Sequence, residues 1–167
     1  MRFIKEIFRG DAPLSQKFGE NPDIYSPMGL KGHNGIDFAT AIGTDIFAGV
    51  MGNITKVEDQ GDIGYGKSIV VVTHVNGRHF ELRWAHLYSL EKNISVGSYM
   101  FPERVMGQTG NSGFCVTKGH KVTPQERNLG LGAHLHFQVR ELDESGMVIN
   151  YLNGYKGAID PLPLFDL

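Results

Sequence analysis

His33-Asn34-Gly35-Ile36-Asp37 sets an imidazole and a carboxylate four residues apart around an Asn-Gly turn. A turn can swing both side chains to one side, and neutral imidazole with a carboxylate oxygen is acceptable zinc ligation. The same residues also read as an Asp satisfying turn amides beside a solvated histidine. A second pair, His134-Leu135-His136, falls in a β-prone run continued by Phe137-Gln138-Val139. Residues i and i+2 of a strand share a face, so both imidazoles would face one groove while Leu135 and Phe137 enter the core. The plainer alternative is a pair of exposed strand histidines. Trp84-Ala85-His86-Leu87 ends another run with a histidine between apolar neighbours, more often a hydrogen-bonded structural residue. His74, His79 and His120 lie in or near turns and a loop and are assigned no role. A catalytic zinc takes three protein ligands and leaves one position for water. His33, Asp37 and one member of the His134/His136 pair would supply such a set. The other member and His86 would then be free for proton transfer. No His-Glu-x-x-His helix is present, so helical zinc-protease chemistry is not expected.

The elements that must hold these residues are strands. The chain has 22 glycines in 167 residues, well above the usual share of about 7%. Each Gly inside a helix costs about 1 kcal/mol relative to Ala, so bundles and coiled coils are disfavoured. Short β-prone runs at 46–50, 53–57, 68–74, 79–85, 105–108 and 135–140 alternate with Gly, Asn and Asp breaks. Asn76-Gly77 is a hairpin signal joining two of these runs. The expectation is a mainly β fold, a small antiparallel sandwich or barrel, with one domain over 1–167. Residues 1–31 read as an irregular lead-in with one short strand near 4–8, and 87–92 as one helical turn. Residues 114–132 form a polar stretch without a clear period, too long for an ordinary connection and expected to be functional or mobile.

Composition excludes several partners. With 41% hydrophobic and 20% charged residues, a packed core is expected and general disorder is not. A net charge of −2 provides no basic field for a phosphate backbone, so no nucleic-acid partner is expected. The single cysteine, Cys115, leaves no intramolecular disulfide. No apolar run approaches the ~20 residues a membrane span needs. Charges at Lys5, Glu6 and Arg9 interrupt any leader-like apolar segment, so no signal peptide is read.

Taken in order, H-x-x-x-D, A-H-L, G-x-T-G-x-S-G and H-L-H-F resemble the lysostaphin-type (LytM-like) zinc endopeptidases. The matching stretches are 32–57, 64–74, 84–90, 107–113 and 133–140, and the closing Asp160-Pro161-Leu162-Pro163 is similar to the family's exit from the domain. The resemblance implies a small antiparallel β structure with a substrate groove, the duplicated hybrid motif. It implies one Zn2+ per chain on His33, Asp37 and His136, with His86 and His134 as the catalytic histidines. The substrate it implies is the stem or cross-bridge peptide of bacterial peptidoglycan, cut by a monomer. Two departures stand out: residues 114–132 are inserted before H-x-H, and neither leader nor wall-binding domain is read. The second fits a phage virion, or the cytoplasm before lysis. A non-catalytic wall-binding or regulatory module of the same fold is the alternative. A phosphate-relay protein with a His pair is a further one, against which Asp37 discriminates.

Overall fold

The computed structural model describes residues 1–166. Its strands are β1 (Leu14–Gln16), β2 (Ile36–Ala39), β3 (Asp45–Phe47), β4 (Gly52–Asp59), β5 (Lys67–Val75), β6 (Arg78–Ala85), β7 (Leu87–Leu90), β8 (Tyr99–Met100), β9 (Val105–Thr109), β10 (Val116–Thr117), β11 (His120–Lys121), β12 (His134–Leu142) and β13 (Ala158–Ile159). Two short helices, α1 (Pro22–Tyr25) and α2 (Pro124–Asn128), complete the regular structure apart from two 3-10 turns. The fold is mainly antiparallel β, as the glycine content and short runs predict. No helix among the described residues is long and apolar enough to cross a membrane.

The main sheet runs β1-β2-β12-β6-β5-β4-β8, with β13 also pairing β12. Its register sorts side chains by face. Phe137 on β12 lies opposite Trp84 of β6 on one side and Ile36 of β2 on the other. Leu135, Phe137 and Val139 of β12, Phe80, Leu82 and Trp84 of β6, and Ile69 and Val71 of β5 all belong to one buried apolar cluster. The alternate residues turn to the other face, where His136 pairs with Asp37 and Gln138 with Arg83. A smaller sheet, β3-β9-β7, adds Ile46, Met106 and Leu87 to the same core. Asn76 and Gly77 both take positive φ, 50° and 76°, the backbone a tight two-residue β5–β6 turn requires.

Two expectations need correction, and the 114–132 segment gains definition. Residues 87–92 do not form a helical turn; Leu87–Leu90 is strand β7, paired with β9 and anchored by the fully buried Leu87. Tertiary pairing outweighs the weak local signal there. The lead-in has no strand at 4–8, only a single parallel bridge from Ile4 to Phe165. It is nevertheless structural, because Ile4, Ile7 and Phe8 are buried in the core and β1 pairs with β2. Residues 114–132 are folded: β10 and β11 form a hairpin, and α2 begins at a capping box. The Thr123 side chain accepts from the Glu126 N–H while the Glu126 carboxylate accepts from the Thr123 N–H, satisfying two of the donors a helix start leaves free.

Phe137 is fully buried and packs edge-on against Trp84, with ring centroids 5.1 Å apart. Its neighbours on the strand, His136 and Gln138, face the opposite way. Phe137→Ala is expected to cost about 3–5 kcal/mol by chemical denaturation. A loss below about 1 kcal/mol would mean that this face is not the core.

Candidate active site

The polar face of β2, β12 and β6 forms the floor of a cavity of about 520 Å³. His33, Asp37, His86, His134 and His136 all line it. The structure thus brings together all five residues singled out in the sequence. His74 and His79 stack on each other at the β5–β6 hairpin, and His120 pairs with Glu126; none of these three lines the cavity.

Three ligand-capable atoms converge at its base. His33 Nε2 lies 2.8 Å from His136 Nδ1 and 3.1 Å from Asp37 Oδ1, and His136 Nδ1 lies 3.0 Å from the same oxygen. All three residues are buried. His33 Nδ1–H donates to the Lys17 carbonyl oxygen at 3.2 Å. A carbonyl can only accept, so Nδ1 holds the ring proton and Nε2 presents a lone pair. The triangle therefore contains at most one shareable proton, on His136 Nδ1. Unfilled, it sets lone pair against lone pair or demands an additional proton. A divalent cation satisfies all three atoms at once, and two imidazoles with one carboxylate suit zinc. The donor set fits the metal that the sequence motif implies.

The approach of His136 depends on Gly35. A Cβ built at Gly35 would lie 2.6 Å from His136 Cε1 and 2.6 Å from the Phe137 carbonyl oxygen. The second position of the Asn34-Gly35 turn therefore has to be bare.

His86 and His134 stand beside this triangle, their ring centroids 4.6 Å apart. His86 occupies the junction of β6 and β7 with φ of 62°, a left-handed backbone that His adopts more readily than most residues. Its N–H donates to the Tyr65 carbonyl oxygen at 2.9 Å. Its Nδ1–H donates to the Ser112 carbonyl oxygen at 2.7 Å. Ser112 is itself held in both directions, since its hydroxyl donates to the Leu87 carbonyl and accepts from the Lys67 N–H. This is the physical role of the glycine-rich 107–113 stretch. A Cβ at Gly113, where φ is 80°, would lie 2.4 Å from the Gly66 nitrogen. His134 Nδ1–H donates to the Gly132 carbonyl oxygen at 2.8 Å, and its Nε2 lies 3.7 Å from Asp37 Oδ2. In both rings the free lone pair is therefore on Nε2.

Electrostatics keep the two kinds of group distinct. Burial works against the Asp37 carboxylate, but the hydrogen bond from His136, the close approach of His33 and the field of His134 outweigh it and hold Asp37 well below the usual carboxylate range. Burial, reinforced by His134 and His136, holds His86 well below the ordinary imidazole value. Burial likewise lowers His136 to about 4, despite its hydrogen bond to Asp37. Neutral rings and an ionised carboxylate are the states a metal-binding base needs.

Several lining residues were not found in the sequence. Tyr25 stacks on His33 at 5.2 Å, and its hydroxyl donates to Gln16 Oε1. The Tyr65 hydroxyl accepts from Asn34 Nδ2 at 3.1 Å and Gln138 Nε2 at 2.9 Å. With both partners donating, its own proton is left for something else in the cavity. The Arg83 guanidinium lies 4.4 Å above the Tyr65 ring. Gln138 and Arg140 were available in principle, because strand alternation extends the His134/His136 face to them. Phe114 and Val116, from residues 114–132, form part of the cavity wall.

Peptidase family M23 matches residues 31–151, a span holding all five residues. No curated protein sequence gives a significant match. Among solved structures, the catalytic domain of the antimicrobial peptidase lysostaphin from Staphylococcus simulans superposes with TM-score 0.62 at 24% identity, covering 91% of this chain and 90% of that one. LytU gives TM-score 0.61 at 29% identity, over 95% of this chain and 87% of LytU. A mutant catalytic domain of the prophage-encoded M23 protein EnpA from Enterococcus faecalis gives 0.60 at 21%, over 89% and 94%. With that family match over residues 31–151 and the fold shared with lysostaphin and LytU, this chain belongs to peptidase family M23 as one of its LytM-like members.

Proposed function

We propose that this peptidase is a zinc-dependent endopeptidase that cuts the stem or cross-bridge peptides of bacterial peptidoglycan. The observation that carries the reading is the convergence of His33 Nε2, Asp37 Oδ1 and His136 Nδ1 within 2.8–3.1 Å, with two further histidines at its edge. His33, Asp37 and His136 would hold the zinc. When bound, the ion supplies a Lewis acid that polarises the scissile carbonyl and acidifies water.

The chain's own residues do the rest. His86 and His134 each have Nδ1–H locked on a backbone carbonyl, so each can take a proton only at Nε2. His134 Nε2 lies 3.7 Å from Asp37 Oδ2, and the carboxylate stabilises the imidazolium formed when that nitrogen takes a proton. His134 is therefore the better place to hold the proton of the attacking water and return it to the leaving amine. His86 is buried where an imidazolium is disfavoured. It serves best as a neutral ring that orients water or substrate. The Tyr65 hydroxyl, with its proton free, is placed to donate to a peptide carbonyl. Phe114 and Val116 would bound one side of the bound peptide, giving residues 114–132 a part in substrate choice.

Zinc-loaded protein incubated with purified peptidoglycan is expected to release new amino groups and no reducing sugar ends. Reducing ends, or no release from any wall type, would overturn the reading.

Substitution separates the two groups of residues. His33→Ala, Asp37→Ala and His136→Ala are each expected to lose zinc and activity together, and to melt at lower temperature once the wild type is zinc-loaded, because the metal's binding energy is partly folding energy. His86→Ala and His134→Ala are expected to keep near-stoichiometric zinc and to slow hydrolysis by about 10²–10⁴-fold. Elemental analysis and hydrolysis rates on the five variants check this. Loss of metal from His134→Ala but not His136→Ala would reverse the roles within the pair.

A further inference from the structure

The polar face of β12 continues past its histidines to Gln138 and Arg140, and Arg83 of β6 lies directly opposite Gln138. Arg83, Arg140 and Lys156 all line the cavity. Lys156 is brought there by β13, whose Ala158 pairs with Arg140. Asn153 ties down the loop before β13: its side chain donates to the Ala158 carbonyl oxygen and accepts from the Tyr155 and Gly157 N–H groups. At a rise of about 3.4 Å per residue, Arg83 and Arg140 stand roughly 7 and 14 Å along the sheet from His136. Among the described residues, the only acidic group lining the cavity is Asp37, at the triangle. The carboxylates that pair with the arginines do not line it. Glu58 and Ser68 engage Nη1 of Arg83, and Glu81 engages Nε and Nη2 of Arg140. A guanidinium carries five N–H donors, so both arginines keep donors in reserve, and Arg83 Nε is buried with no hydrogen-bond partner. Lys156 is exposed and belongs to none of the ion pairs among the described residues.

We propose that Arg83, Arg140 and Lys156 form a carboxylate subsite, so that the peptidase selects acidic stem peptides over uncharged cross-bridges. This rests on the peptidoglycan reading above and narrows its substrate. A guanidinium fork matches the geometry of a carboxylate, and the lysine ammonium adds a point charge. The Arg83 fork is set before a peptide arrives, held by Glu58 and by the Tyr65 ring 4.4 Å away, so little ordering is left for binding to accomplish. An extended peptide also advances about 3.4 Å per residue. With its scissile carbonyl at the triangle, the recognised carboxylate therefore belongs about two to four residues away. A carboxamide in its place keeps the shape but loses the charge, and its NH2 turns a donor toward donors. A glycine bridge presents no side chain at all to these cations.

The test uses the full chain and synthetic stem peptides made in pairs, identical except that one free carboxylate becomes a carboxamide, with oligoglycine as the uncharged comparison. The zinc-loaded wild type is expected to cleave the carboxylate member with kcat/KM roughly ten- to 100-fold higher, a ratio that shrinks as salt is raised. Fluorescence anisotropy of tagged peptides on the metal-free chain should show the same preference in binding. Lys156→Gln is expected to lower the ratio severalfold through the carboxylate peptide. Arg140→Gln is made together with Glu81→Gln, so that no buried carboxylate is left without its cation. That double variant should lower the ratio further, and adding Lys156→Gln should bring it near one. Equal kcat/KM for the paired peptides would overturn the subsite, and so would a preference that survives intact in the triple variant. Cleavage confined to oligoglycine would overturn it too, with the proposed function left standing. A binding preference without hydrolysis of any wall peptide would overturn the proposed function and leave the subsite standing.

Discussion

Asp37 on β2 lies directly opposite His136 on β12, and the site depends on that pairing. A strand's side chains alternate with period two, so a slip of one residue would send Asp37 and His136 into the core and bring Phe38 and Phe137 to the groove. The slip is prevented by the other face. Ile36, Leu135, Phe137 and Trp84 are fully buried, and a one-residue slip would turn them out of the core. The hydrophobic core thus fixes the position of a polar triangle that would otherwise be unfavourable, three lone-pair atoms held within 3.1 Å. Burial is also what makes the triangle useful, because it keeps His136 neutral beside an ionised Asp37.

Around that pairing, backbone carbonyls set the chemistry of each ring. Lys17, Ser112 and Gly132 each accept one Nδ1–H, from His33, His86 and His134 respectively. Each therefore directs an Nε2 lone pair away from the backbone. His136 differs: its Nδ1 faces the triangle, while its Nε2 is buried without a partner. Gly35 packs close against this ring, and a Cβ there would lie 2.9 Å from the same nitrogen. That orphaned nitrogen is the cost of placing His136 where the triangle needs it. The supporting carbonyls come from three separate segments, the lead-in, the glycine-rich turn and the end of residues 114–132. This explains why so many loops converge on one face of the sheet.

Much of this was legible in the sequence because its signals were short-range. The His33-to-Asp37 spacing, the His134/His136 alternation and the Asn76-Gly77 turn each act within a few residues, and the strands they predicted are present. His86 was visible as a residue, but its left-handed backbone and its tie to Ser112 are tertiary facts. Leu87–Leu90 read as helical because its strand character comes from pairing with β9, far along the chain. In residues 114–132 the capping box from Thr123 to Glu126 was present in the sequence and would have marked α2. The Lys118-Gly119 turn, with both φ values positive, carries a weaker signal. Tyr65 sits in a turn with no periodic context, so nothing local pointed to its hydrogen bonds with Asn34 and Gln138.

The central claim is that two imidazoles and one carboxylate, and no sulfur, hold the metal on which hydrolysis depends. X-ray absorption at the zinc edge tests it most directly, on protein loaded with a single equivalent. The account predicts a first shell of nitrogen and oxygen only, with outer-shell scattering from two imidazole rings. A sulfur contribution at that stoichiometry, or a shell without imidazole, would contradict it.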